Sequence, residues 1–246
     1  MTVGASKLER VAGVIATLGA CAYMVPFVTR GWIPHDEGML GQAADLVLHG
    51  ATPHIQYEEP YSGALSWLYA SVFRLQGVDL VHVRWLLFVG TCATAGLVYS
   101  ISRRYLSPVG AAIATWVAIV WSFPNYFAGL PSWWLLLCAV TAVWAVIRYA
   151  ETTRVHFIVV AGLAAGAAVA VKQTGVYIVI ALGLALVDRS SFRALRWLTA
   201  LVAIVFAAFI LRARLFEAEG LYLFCPAAAS AFALLIPGRE RSGAQR

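Results

Sequence analysis

The sequence predicts an all-α fold, a polytopic membrane helix bundle of about eight transmembrane helices with two interfacial helices in its first extracytoplasmic loop. Three observations lead there. Of the 246 residues, 61% are hydrophobic and 12% charged, where a soluble domain has about 45–50% apolar and about 25% charged residues. So little charge cannot cover a soluble globule of this size, which excludes an ordinary cytosolic enzyme and a disordered chain alike. The apolar residues are gathered into runs, several of them close to the roughly 20 residues that a spanning helix needs. The charges between the runs are sorted by sign and by side.

The runs cover residues 11–29, 81–102, 109–123, 132–149, 155–171, 174–187, 197–211 and 221–237. The third is short, but Pro108 and Pro124 bound it. The stretch 155–187 is too long for one span and is interrupted by Lys172-Gln173-Thr174-Gly175, so it reads as two helices meeting at that break. The first run is long and has no small-residue cleavage site after it, so it reads as a span and not as a signal peptide. With eight spans the termini share a side, which receives twelve of the eighteen Lys and Arg residues; the other side receives six. The positive-inside rule then places both termini in the cytoplasm. The net charge of +6 is therefore a topology signal, supplemented by contact with anionic lipids, and nucleic acid is not an expected partner. Cys21, Cys92, Cys138 and Cys225 all lie in apolar runs without a CxxC or Cys/His pattern, so they read as small buried residues, with no metal site. Residues 1–246 read as a single membrane domain, in which the loop 30–80 carries the chemistry.

That loop is far longer than the other connections, and long connections are usually functional. It holds Asp36, Glu37, Asp45, Glu58, Glu59 and Asp79, six of the chain's twelve acids, against only Arg30 and Arg74. Its net charge is −4, which leaves +10 on the rest. His35, His49 and His54 lie in it too. Asp36 starts a helical pattern that runs to His49, with Gly50 as its C-terminal stop. An extended piece covers 51–60. Ser62 is placed to cap a second helix with Leu65, Leu68, Tyr69, Val72 and Phe73 on one side, ending before Gly77. Two amphipathic helices lying at the interface fit this pattern, and so do two helices packed on the bundle.

Two positions stand out. Asp36-Glu37 follows closely on the first span, where a carboxylate is costly to hold and often functional. A low-dielectric setting favours a base of raised pKa, whereas the plainer role of Asp36 is to cap the helix that follows. Lys172 is the only lysine outside the N-terminal tail. It is placed either to snorkel to the interface or to bind a phosphate beside the helix that begins at Thr174-Gly175. Arg84, early in the second span, is a second such cation or a partner for Asp79.

Three stretches carry a resemblance. They are His35-Asp36-Glu37-Gly38 through Leu48-His49-Gly50-Ala51-Thr52-Pro53 to Tyr57-Glu58-Glu59-Pro60-Tyr61; Val83-Arg84-Trp85-Leu86 running to Val98-Tyr99 and Arg103-Arg104-Tyr105-Leu106; and Gly162-Leu163-Ala164-Ala165-Gly166 followed by Val171-Lys172-Gln173-Thr174-Gly175. In this order and spacing, over residues 10–190, they look like the GT-C glycosyltransferases, in the branch of protein O-mannosyltransferases and lipid A aminoarabinose transferases. The resemblance implies an inverting membrane transferase that moves a sugar from a polyprenyl-phosphate donor to a glycan, lipid or protein acceptor outside the cytoplasm, without a cofactor. It implies Asp36 as general base and Glu37 as its orienting partner or a binder of hydroxyls. Lys172 or Arg84 would be the counter-charge of the phosphate, and His54, Tyr57, Glu58, Glu59 and Gln173 would bind substrate. Members of the branch are usually longer, with more spans, so the chain corresponds to the N-terminal module.

Two other classes stay open at this stage. A carrier or flippase for lipid-linked sugars would want charges inside the bundle, and the spans hold almost none. A non-catalytic scaffold of the same fold would need Asp36 only as a cap.

Overall fold

The computed structural model of the chain describes residues 6–187 and residues 201, 204 and 205. Eight helices are described: α1 (Lys7–Met24), α2 (Pro34–Leu48), α3 (Ala64–Gln76), α4 (Leu80–Ser102), α5 (Pro108–Ser122), α6 (Pro131–Thr152), α7 (His156–Val171) and α8 (Val176–Val187). No strand occurs among the described residues, so the molecule is the all-α bundle that the composition predicts. The chain forms two compact units, Met1–Ile178 and Val179–Arg246, and every candidate residue of the site lies in the first.

Three helical segments are long and apolar enough to cross a bilayer: Lys7–Thr29, in which 3₁₀ turns extend α1; Leu80–Ser102; and Pro131–Thr152. With their outward-facing Val11, Ile15, Leu18, Val89 and Val143 exposed, these spans make the protein an integral membrane protein. Of the other expected spans, α5, α7 and α8 are helices of 15, 16 and 12 residues. The runs 197–211 and 221–237 lie outside the described residues.

The helix ends follow local chemistry. Ser6 and Glu9 form a reciprocal capping box at the start of α1, and the Ser107 hydroxyl accepts from the Gly110 N–H at the start of α5. Thr17, Thr91, Thr94 and Thr115 are buried in the spans, and each returns its hydroxyl to the carbonyl four residues earlier, so none is left unsatisfied in an apolar setting. On α7, Ala161, Ala164, Ala165 and Ala168 are buried, the small-residue packing by which helices approach in lipid.

Two cores result. Met24, Val28, Leu87, Ile119, Phe123 and Phe127 join α1, α4 and α5 with the loop that follows α5. Leu40, Ala44, Leu65, Tyr69, Phe73 and Val83 pack α2 and α3 onto the start of α4. The two loop helices thus bury one side against the bundle, while Met39, Leu46, Trp67, Leu68 and Leu75 on the other side remain exposed.

Three sequence expectations need correction. Ser62 does not cap α3: the cap position is Gly63, at φ +87°, a left-handed conformation that glycine takes without strain. Asp36 does not cap α2, which starts at Pro34 with Ile33 in the cap position. Asp79 is not the partner of Arg84: its carboxylate accepts from the Val81 N–H and caps α4.

Candidate active site

Asp36 and Glu37 sit in the first turn of α2, a favourable end of the helix for negative charge. One residue apart on a helix, they point in different directions. Glu37 turns into the protein and Asp36 toward the loop after α5.

Glu37 is 4% exposed and Arg84, on α4, is 0% exposed. The guanidinium grips the carboxylate with two hydrogen bonds of 2.6 Å, Nε to Oε1 and Nη2 to Oε2. Its other donors reach carbonyls where the first span ends: Arg30 at 2.6 Å, Gly31 at 3.0 Å and Phe27 at 3.4 Å. The Arg30 and Gly31 carbonyls lie beyond the last helical turn and take the guanidinium as partner, while the Phe27 carbonyl also accepts from the Arg30 N–H at 3.4 Å. Trp32 lies over its face, 4.1 Å from the ring centroid. A guanidinium has five N–H donors, and here all five are engaged. The expectation that Arg84 binds a donor phosphate therefore fails on geometry: the residue has no donor left to offer. Glu37 is well occupied too, since its Oε2 also accepts from the Ile33 N–H at 3.3 Å, and no hydrogen bond joins it to Asp36 among the described residues.

Asp36 is half-buried and has a different partner. The phenol of Tyr126 donates to its Oδ2, the hydrogen bond that the Asp36 side chain makes among the described residues. The Asp36 carboxylate beside it holds the Tyr126 phenol above its ordinary pKa, so the phenol stays a donor. Tyr126 comes from a 3₁₀ turn, Phe123–Tyr126, whose backbone is well anchored. Its carbonyl accepts from Trp133 Nε1 at 2.9 Å, and Phe123 stacks on Trp133 at 4.3 Å.

Lys172 ends α7 in an extended conformation, followed by the 3₁₀ turn Gln173–Gly175 and then α8, at the break that the sequence marks. Gly175 is required there: a Cβ would lie 2.2 Å from the Ala168 carbonyl carbon. Lys172 Nζ stands over the Tyr61 ring, 5.7 Å from its centroid. Two pairs result, Asp36 with Tyr126 and Tyr61 with Lys172, drawn from four separate segments.

The remaining candidates divide. Glu59 is 6% exposed and accepts from the Ser66 hydroxyl at 2.6 Å, the Tyr61 N–H at 3.3 Å and the Tyr57 hydroxyl at 3.4 Å. Burial, foremost, raises the pKa of Tyr57. Tyr57, Glu58, Glu59 and Pro60 form one wall of a cleft of about 200 Å³, and Met39, Gln42 and Leu46 line the other. On α2, Met39 lies one turn beyond Asp36, so the end of the cleft and the carboxylate share a helix face, although Asp36 itself does not line the cleft. His54 is exposed at the tip of a turn, with φ +65°, and Gln173 is exposed beside Lys172. No hydrogen bond or ion pair joins either to Asp36 among the described residues. Nor do three His, Cys, Asp or Glu side chains come together as metal ligands among those residues.

Sequence reasoning missed Tyr126, Tyr61 and Ser66. One signal for Tyr126 was available. In an alternating bundle the loop after α5 shares its end with the loop after α1, and Asn125-Tyr126 places polar groups between apolar neighbours there.

Searches among curated proteins and among solved structures gave no match. The family model of the dolichyl-phosphate-mannose-protein mannosyltransferases matches residues 63–212, which hold Arg84, Tyr126, Lys172 and Gln173 and begin beyond Asp36 and Glu37. With a match over more than half of its length, on an all-α membrane bundle, the chain belongs to the dolichyl-phosphate-mannose-protein mannosyltransferase family, membrane glycosyltransferases of the GT-C type.

Proposed function

We propose that the protein transfers a sugar, with inversion, from a polyprenyl-phosphate carrier to an acceptor hydroxyl on the extracytoplasmic side of the membrane, with Asp36 as general base. One observation carries the reading: among the described residues Asp36 is a carboxylate with a hydroxyl donor and no ion-pair partner. The acceptor oxygen attacks the anomeric carbon while its proton passes to Asp36. The bond from that carbon to the phosphate oxygen breaks, and the polyprenyl phosphate leaves as an anion. A phosphate leaving group needs no strong acid, only counter-charge, which Lys172 supplies. The chemistry parallels the base step of inverting glycoside hydrolysis, with the acceptor in place of water.

The donor class follows from the family, whose description names dolichyl-phosphate mannose. The cleft between α2 and residues 57–60 is the acceptor side, with the exposed Glu58 at its wall. Glu37 and Arg84 hold the end of the first span and α2 together, and so set the direction of Asp36. Glu59 fixes the segment that carries Tyr57 and Tyr61.

The test is sugar transfer from labelled polyprenyl-phosphate mannose by the full chain in liposomes. Asp36→Asn should abolish transfer while leaving donor binding intact. Transfer at the wild-type rate in that variant would end the assignment.

A further inference from the structure

We infer that Tyr126 makes the site selective for an acceptor hydroxyl over water, by holding Asp36 with its own hydroxyl until the acceptor displaces it. This rests on Asp36 being the base. A hydroxyl that is to lose its proton to Asp36 must first donate a hydrogen bond to that carboxylate. Tyr126 makes this bond now at one of the two carboxylate oxygens: its O–H donates to Oδ2, so a hydroxyl that approaches that oxygen must displace the phenol.

The phenol is suited to occupy the base without reacting. It sits on a carboxylate that raises its pKa, so it keeps its proton. The turn that carries it is pinned: the Tyr126 carbonyl accepts from Trp133 Nε1 and from the Ala128 N–H, both at 2.9 Å, and the Asn125 amide donates to the Trp121 carbonyl at 2.7 Å. The ring is half-exposed, so rotation about its own side-chain bonds is enough to release Asp36. Water offers one hydrogen bond in exchange for the one it breaks and gains nothing by the exchange. An acceptor that also fills the cleft along α2 brings further contacts and wins the exchange.

The reaction suppressed is donor hydrolysis. In it, a water oxygen bonds to the anomeric carbon, the bond from that carbon to phosphate oxygen breaks, polyprenyl phosphate departs, and the proton of the water passes to Asp36. The step through Oδ2 needs that oxygen free of the phenol, and Tyr126→Phe tests whether Oδ2 is the oxygen that takes the proton.

The experiment measures free mannose released from labelled polyprenyl-phosphate mannose in liposomes without acceptor, and transfer to acceptors of the expressing membranes as label that resists mild acid. Tyr126→Phe keeps the ring and removes only the hydroxyl; it should raise hydrolysis about tenfold. Tyr126→Leu is the second variant and should do the same. Hydrolysis unchanged in both variants would overturn the inference. Hydrolysis falling in parallel with transfer would overturn it too, because Tyr126 would then only position Asp36. Asp36→Asn separates the two readings. If it abolishes transfer while Tyr126→Phe leaves hydrolysis unchanged, only the role of Tyr126 falls. If Asp36→Asn keeps transfer and hydrolysis at wild-type rate, the base assignment falls and this inference with it.

Discussion

Two neighbouring carboxylates, Asp36 and Glu37, stand in opposite environments. Glu37 is buried, paired in bidentate fashion with Arg84, and hydrogen-bonded to the backbone at Ile33. Asp36 is half-buried and among the described residues holds the phenol of Tyr126. A carboxylate matched by a guanidinium is spent as a base, because protonating it would strand a buried cation. A carboxylate matched by a neutral hydroxyl exchanges that partner for another hydroxyl at little cost. One end of one helix therefore carries a structural clamp and a reactive group, and the choice between them is made by the loop after α5 and by α4, not by α2 itself.

The comparison is broken most severely at its reactive half. Asp36→Asn keeps the shape and the hydrogen bond to Tyr126 but removes the basicity, and transfer should fall by at least about 100-fold. If Glu37→Gln lowered transfer as much with stability unchanged, the two roles would have to be exchanged. The clamp answers to a different measurement. Arg84→Leu leaves Glu37 buried without its cation, and thermal unfolding in detergent should show a loss of about 3–5 kcal/mol. Combining it with Glu37→Leu should recover much of that loss, since an apolar pair of similar size fits the same space. A double variant as unstable as the single one would mean that the bonds to the Arg30 and Gly31 carbonyls outweigh the ion pair.

The lysine tests the other half of the site. Lys172→Ala should raise the KM for polyprenyl-phosphate mannose by about tenfold, the worth of one charge-assisted contact. The fold should survive, because the contact of the Lys172 side chain among the described residues is an aromatic one, at partial exposure. An unchanged KM would return Lys172 to the snorkelling role.

How much of this was legible in the sequence depends on the range of the interaction. The bundle, the break at Lys172 and the two loop helices follow from apolar runs and local breakers, which act over a few residues. The cap at Ser62 failed because Gly63 already offered the left-handed turn into α3. Arg84 failed as a phosphate site because its partners come from 47 to 57 residues away, and no local pattern reveals that five acceptors converge on it. Tyr126 lies 90 residues from Asp36. The acids announced themselves by clustering, whereas the groups that decide what each acid does are single residues on other helices.

The smallest expected effect lies at Glu59, where the comparison between spent and free carboxylates is sharpened. Glu59 is buried like Glu37, but its partners are neutral: the Ser66 hydroxyl at 2.6 Å and two longer contacts from Tyr57 and Tyr61. Ser66 is itself 1% exposed, on α3, so its hydroxyl is a short link between the 57–61 segment and α3. Ser66→Ala should cost about 1–3 kcal/mol, because the carboxylate loses its best donor and cannot regain water. Tyr61 is held by the same carboxylate through its N–H, and Lys172 stands over its ring. The variant should therefore raise the donor KM by about two- to threefold, less than Lys172→Ala, and leave the pH profile of transfer unmoved. A changed pH profile would mean that Glu59 itself takes part in proton transfer, and the division of labour among the loop's carboxylates would have to include it.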